Sequence, residues 1–252
     1  MKRQESRVEL LRSHQPPAVA KRLRQSPRWL YASDVVLGGI DGCVTTFAIA
    51  AAAVGAGFDS VVVIVLGAAN LFADGFSMAI SNYQGCKANE EYRDEVRRTE
   101  ERHIELIPEG EREELRQLYR QKGFQGEMLG AIVETISHDR RLWVETMLSE
   151  EYGLPRSLPL PWRSALTTFA AFVAVGAVPS LPFLFSAALP GKQFAASIVL
   201  AGFMFFAIGL AKGLVIGRSM LLSGVGTLLM GSGAATLAFL VGYLLRATFG
   251  LG

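Results

Sequence analysis

The sequence predicts an all-α, polytopic membrane protein with five transmembrane helices and a cytosolic insert of three helices between the second and third. Half of the 252 residues are hydrophobic, and the mean hydropathy is +0.30, which favours a membrane protein over a soluble one. The charged residues are unevenly distributed, since 17 of the 23 acidic residues lie between positions 84 and 153. Apolar stretches long enough to cross a bilayer lie on both sides of that segment.

The first 32 residues predict a cytoplasmic tail. They contain many basic residues, namely Lys2, Arg3, Arg7, Arg12, Lys21, Arg22, Arg24 and Arg28. The segment lacks the apolar core of a signal peptide, and Glu5 and Glu9 are untypical of a transit peptide. The predicted organisation is a tail at 1–32, transmembrane helices 1 and 2 at 33–85, a cytosolic helical domain at 86–160, and transmembrane helices 3 to 5 at 161–252.

Five apolar segments reach the roughly 20 residues that a spanning helix needs, at about 34–56, 60–83, 163–187, 193–212 and 219–246. Lys and Arg are abundant in the tail and the insert, whereas the loops after the first and third segments contain only Lys192. The positive-inside rule therefore predicts a cytosolic N-terminus and insert. Pro179 and Pro182 predict a kink in the third span. Because five spans leave no two-fold repeat within one chain, a symmetric pathway needs two chains.

The insert has the composition of helices rather than strands. We predict a first helix at 86–107, a break at residues 108–110 (PEG), a second helix at 111–121 and a third helical region at 124–152. This insert separates the second span from the third.

Several polar residues lie inside the predicted spans. Asp41 and Asp74 are the acids well within them, and Asp34 precedes Asp41 by seven residues, on the same helix face. One stripe of the second span carries Asn70, Asp74, Ser77, Met78 and Ser81. Charges in a bilayer are expensive and indicate function, and carboxylate, amide and thioether groups suit a transition-metal ion. The alternative is that these polar groups only hold helices together.

The insert contains pairs of ligand-type residues at helical spacing. The pairs are Glu100 with His103, Glu111 with Glu114, and Met147 with Glu151, and Glu150 stands beside the last. Each pair shares a helix face. If the three faces converge, their oxygen, nitrogen and sulfur atoms suit Fe²⁺, Mn²⁺ or Zn²⁺. The alternative is a solvated face rich in charge.

Other classes of function lack sequence support. Residues 102–105 (RHIE) do not match the zinc-protease motif, and neither a phosphate loop nor a nucleophile elbow is present, so we expect no enzyme activity and no cofactor. Cys43 and Cys86 are isolated and form no zinc motif. The basic residues do not interleave with aromatic ones, which argues against nucleic acid as a partner.

Two runs carry a resemblance to a known family. Residues 33–42 (SDVVLGGIDG) and 69–79 (ANLFADGFSMA) resemble the first and second spans of the vacuolar iron transporter (VIT) family. The similarity continues through the insert from Glu100 to Glu114 and from Trp143 to Leu154. Spans three to five match in hydropathy and length.

The resemblance implies a five-span protomer that works as a homodimer, with the ion path between the two first spans. It also implies exchange of Fe²⁺ or Mn²⁺ for protons, with metal leaving the cytosol. Asp41 and Met78 stand at the positions of the family's intramembrane transport residues. The positions of its cytosolic metal ligands are Glu100, Glu111, Glu114, Met147 and Glu151. His103 and Asn70 depart from the pattern, since each stands where a glutamate is expected.

Two alternatives to a transporter remain open. Glu100 and His103 form half of a di-iron carboxylate motif, which suggests a membrane-anchored oxidase, although no second Glu-x-x-His is present. A membrane scaffold without transport would leave Asp41 and Asp74 unexplained. The expected location is the cell (inner) membrane, and the vacuolar membrane is the alternative.

Overall fold

The computed structural model describes residues 7–24, 30–185 and 190–249. Residues 1–6 and 25–29 of the predicted tail, and 186–187 of the third predicted span, lie outside these ranges. The described part is helical and contains no strand. Its α-helices are α1 (Arg7–Ser13), α2 (Pro16–Arg24), α3 (Ala32–Gly55), α4 (Ser60–Leu106), α5 (Pro108–Gln121), α6 (Gly126–His138), α7 (Arg140–Glu150), α8 (Pro161–Gly176), α9 (Pro190–Ile216) and α10 (Met220–Phe249).

Within the described ranges, four helices, α3, α4, α9 and α10, are long and apolar enough to cross a membrane. The third predicted span is α8 followed by the 3₁₀ helix Val178–Leu184, and the two are bent by 42° relative to each other. Pro179 and Pro182 lie in the 3₁₀ helix, where proline cannot supply the amide hydrogens of a continued α-helix. The bent pair accounts for the fifth predicted span when it is taken as one crossing.

The chain divides into two compact units. The transmembrane unit comprises the described residues up to Tyr83 and from Pro159 onward, and the insert unit is Gln84–Leu158. The prediction of a separate helix beginning at 86 was wrong, because α4 runs without a break from Ser60 to Leu106. The charged residues after position 86 are good helix formers, so nothing ends the helix where its apolar part stops.

Close contact between α3 and α8 depends on two glycines. A Cβ atom on Gly38 would lie 2.3 Å from the carbonyl oxygen of Thr168, and one on Gly42 would lie 2.3 Å from that of Phe172. Any larger residue would therefore force the helices apart, as expected for small residues at membrane helix interfaces. This contact fixes the face of α3 that also carries Asp34.

The insert unit contains four helical segments instead of the three predicted, namely the end of α4 together with α5, α6 and α7. Pro108 begins α5 rather than breaking the chain for three residues, since proline is favoured in the first helical turn. Asp139 divides the predicted third region into α6 and α7. Its side chain accepts hydrogen bonds from the backbone N–H groups of Arg141 and Leu142 at 2.9 and 3.1 Å, which is an N-cap.

The insert unit has its own apolar core and two ion pairs that join α4 to α7. Leu115, Val133 and Trp143 are buried in the core. Glu145 on α7 accepts hydrogen bonds from Arg93 at 2.9 Å and Arg97 at 2.6 Å, both on α4. The apolar core and these two ion pairs together hold α4, α5 and α7 in fixed relative positions.

Candidate functional site

A cavity of about 880 Å³ lies within the transmembrane unit. Asp34 and Asp41 from α3, Met78 and Asn82 from α4, and Lys212 from α9 line it. The two aspartates are two helical turns apart and the α4 pair one turn apart, so each pair faces the same side of its helix. The cavity therefore combines carboxylate, thioether, amide and ammonium groups among apolar helices.

Asp34 belongs to a buried polar network at this cavity. Only 7% of its surface is exposed. Nδ2 of Asn82 donates to Oδ1 of Asp34 at 3.0 Å and to Oγ1 of Thr168 at 2.7 Å. The second carboxylate oxygen of Asp34, Oδ2, is buried without a hydrogen-bond partner. A buried acceptor without a partner is costly, and such atoms in native proteins call for an explanation, often a functional one.

Three of the five predicted path residues, Asp34, Asp41 and Met78, line the cavity, and two do not. Nδ2 of Asn70 donates to Oγ1 of Thr45 at 3.2 Å, and that hydroxyl donates to the backbone oxygen of Asp41 at 2.8 Å. Asp74 is exposed on α4, yet close enough for its charge to repel that of Asp41. Asn70 and Asp74 thus adjoin Asp41 without lining the cavity.

Sequence reasoning missed Asn82 and Lys212. Asn82 continues the spacing Asn70, Asp74, Met78 by one further turn, so the pattern carried a signal for it. The fourth predicted span ended at about residue 212, which placed Lys212 at its edge, but α9 continues to Ile216. A lysine inside a spanning helix is a functional candidate by the same argument as an intramembrane aspartate.

The insert unit contains a second group of acidic residues. Glu100 on α4 and Glu111 on α5 are 1% and 0% exposed. The hydroxyl of Tyr152 donates to Oε1 of Glu100 at 3.0 Å, and Nδ1 of His103 lies 3.2 Å from Oε1 of Glu111. Despite that contact, Oε2 of Glu100 and both oxygens of Glu111 lack a well-directed hydrogen bond. The two buried carboxyl groups thus have spare acceptor capacity, as a cation site requires.

The electrostatics of this group disfavour ionisation. Burial, followed by the charges of Glu100 and Glu114, raises the pKa of Glu111 to about 8. Desolvation, followed by the same two charges, raises the pKa of Glu151. Burial and the hydrogen bond to Glu100 raise the pKa of Tyr152. Shifts from desolvation and like charge are typical of sites that bind protons and cations in competition.

Two other predicted ligands of the insert, Met147 and Glu150, have contacts of a different kind. Met147 is fully buried in the apolar core, while Glu150 forms an ion pair with Lys122. Among the described residues, no set of three or more His, Cys, Asp or Glu side chains already has the spacing to hold a metal ion. Glu114 and Glu151 are exposed, whereas Glu100 and Glu111 are buried.

The raised pKa of Glu111 predicts that the insert unit loses stability as pH rises. The folded state binds this proton more tightly than the unfolded state, whose glutamate has its ordinary pKa of 4.5. The contribution of Glu111 is therefore fully present below that value and is lost between pH 4.5 and about 8. We expect Glu111→Gln to flatten this decline in metal-free buffer.

The measurement is urea unfolding followed by the fluorescence of Trp143, with Trp29 and Trp162 replaced by phenylalanine. Glu113→Gln on the exposed face of α5 is the matched control and should keep the slope. An equal slope in wild type and Glu111→Gln would contradict the prediction.

Comparison with known proteins identifies the family. The model of the VIT family matches residues 32–243. The vacuolar iron transporter of Toxoplasma gondii is 31% identical over 87% of this chain and 76% of its own length. Vacuolar iron transporter 1 of Arabidopsis thaliana is 30% identical over 82% of both chains. Vacuolar iron transporter 2 of Oryza sativa subsp. japonica is 31% identical over 82% of this chain and 84% of its own. The chain therefore belongs to the vacuolar iron transporter family.

Proposed function

We propose that this protein moves Fe²⁺ or Mn²⁺ out of the cytosol through the membrane, in exchange for protons and as a homodimer. The observation that carries the proposal is the cavity within apolar helices that Asp34, Asp41 and Met78 line. Hard oxygen and soft sulfur donors together suit a divalent transition metal. The names of the relatives support iron as one substrate.

The proposed role of the insert is to capture metal in the cytosol. Glu100 and Glu111 have buried acceptor atoms without partners, and Glu114 and Glu151 are more exposed neighbours that act on them electrostatically. A divalent ion would neutralise the repulsion among these groups and displace the proton that the Glu111 carboxyl group binds at neutral pH. His103, where the family pattern has a glutamate, offers an imidazole nitrogen.

The proposed transport step uses Asp41. In a homodimer with the two first spans facing each other, Asp41 of both chains and Met78 would bind the partly dehydrated ion. A carboxylate in a low-dielectric site can exchange metal for a proton. Asn70 cannot titrate, so the proton exchange depends on the aspartates.

The proposed location is the cell (inner) membrane with the N-terminus and the insert in the cytosol. The vacuolar membrane is the alternative, and the names of the relatives favour it. In either membrane, the direction of transport is the same with respect to the cytosol. Neither the oxidase nor the scaffold alternative gains support from any described residue.

The test is metal flux into proteoliposomes that contain the purified protein and a trapped pH dye. We expect Fe²⁺ and Mn²⁺ to enter while protons leave, and the relative rates to rank the two ions. Empty liposomes and Ca²⁺ are the controls, since an all-oxygen ion gains nothing from the thioether. No flux under any imposed proton gradient, with the protein folded, would overturn the proposal.

A further inference from the structure

Lys212 is a positive charge that shares a cavity with the two aspartates of the proposed path. It lies inside α9, is half-buried, and lines the same cavity as Asp34 and Asp41. Within the described part of the chain it forms no ion pair or hydrogen bond. A lysine in a spanning helix normally pairs with a partner or serves a function. Its charge therefore acts on the cavity as a whole rather than on one carboxylate.

The charges around the cavity define what Lys212 does to a bound ion. With both carboxylates ionised, Asp34, Asp41 and Lys212 together leave one negative charge on the cavity walls. A divalent cation would turn this into one positive charge, whereas without Lys212 the same cation would leave the cavity neutral. Lys212 thus lowers the electrostatic energy of the metal-free cavity, because it offsets one of the two carboxylates. It raises the electrostatic energy of the metal-bound cavity, because it repels the cation.

We propose that Lys212 is a built-in counter-charge that weakens metal binding in the cavity and so permits release of the ion. The inference rests on the proposed function, because it concerns the ion that the cavity would carry. A conducting or transporting site must bind its ion firmly enough to admit it and weakly enough to let it leave. A tethered ammonium group achieves this in a low-dielectric region, where mobile salt screens charges poorly.

The unpartnered oxygen of Asp34 supports this assignment. Oδ2 of Asp34 is buried and accepts no hydrogen bond, while Asn82 occupies the other oxygen, Oδ1. Asp34 thus retains an acceptor for a cation, and the ammonium group of Lys212 is the positive charge among the cavity-lining side chains. A metal ion in the cavity would find this acceptor available, while the charge of Lys212 would repel the same ion.

The experiment measures KM and kcat for Mn²⁺ flux in proteoliposomes for wild type, Lys212→Gln, Lys212→Met and Lys212→Arg. Loss of the charge should lower KM about tenfold or more and lower kcat as well, because the ion binds tightly and leaves slowly. Lys212→Arg keeps the charge and should keep KM near the wild-type value. Lys192→Gln, an exposed lysine near the start of the same helix, is the matched control.

A merely structural role would lower kcat without lowering KM. An unchanged or higher KM in whichever neutral variant folds would overturn the inference while leaving the transporter proposal intact. Lys212→Met serves as the second neutral variant because its unbranched side chain adds no buried amide. Absence of flux in wild type would overturn the proposed function and, with it, this inference.

Discussion

Asp41→Ala is expected to abolish metal flux while leaving the protein folded. The side chain lines the cavity and is half-buried, and the substitution removes a charged ligand from a low-dielectric site. Such a ligand is worth several kcal/mol, so we expect at least a ~100-fold loss of flux. The backbone oxygen of Asp41 keeps its hydrogen bond from Thr45, and alanine suits a helix interior. The measurement is Mn²⁺ and proton flux in proteoliposomes.

Two further variants test whether the effect of Asp41→Ala depends on the carboxylate at this position or only on the loss of a negative charge. Asp59→Asn changes an exposed acid of the same unit, in the turn before α4, and should keep wild-type flux. Asp41→Glu keeps a carboxylate and should retain part of the flux with an altered ratio of Fe²⁺ to Mn²⁺. If Asp41→Ala carried metal and protons at the wild-type rate, Asp41 would have no place in the path.

The spans were predictable because hydropathy alone selects them. A bilayer requires continuous apolar helices, and the runs that became α3, α9 and α10 are visible without tertiary information. The helix breaks were less predictable, because they depend on single residues. Asp139 caps α7 only once its side chain meets two backbone N–H groups, while nothing in the composition after Tyr83 ends α4.

Helical periodicity predicted part of the lining of the cavity. The seven-residue spacing of Asp34 and Asp41 was enough to propose a common face, and both side chains line the cavity. The four-residue step from Asp74 to Met78 predicted a second common face, but only Met78 lines the cavity. Lys212 was missed because the hydropathy criterion ended its span too early. The sequence also did not predict that Glu111 is buried while Glu114 is exposed. Both residues lie on one helix, and their burial differs only because of how that helix packs against its neighbours.

Glu111→Gln combined with Glu114→Gln is expected to have opposite effects on metal binding and on stability. Glu111 is fully buried, and neither of its carboxylate oxygens has a well-directed hydrogen bond. Removal of both negative charges should weaken Mn²⁺ binding to the insert at least ~100-fold, because two charge-assisted ligands are lost. The same change should stabilise the metal-free protein near pH 8, because it removes like-charge repulsion around a buried group.

The pH dependence of binding follows from the same carboxyl group. Since the pKa of Glu111 is about 8, metal must displace a proton at neutral pH, and wild-type affinity should rise between pH 6 and 8. The double variant should lose most of this rise. Calorimetric titration of the full-length protein with Mn²⁺ at both pH values measures affinity and proton release together.

Glu109→Gln with Glu113→Gln removes the same charge from the exposed side of α5 and is the matched control. It should leave both affinity and its pH dependence close to wild type, because exposed charges contribute little to a buried site. Equal losses in the two double variants would mean that the net charge of the helix attracts the ion. A loss confined to the Glu111 and Glu114 pair would mean that these carboxylates hold it, since only this pair includes the buried acceptor atoms that the ion can satisfy.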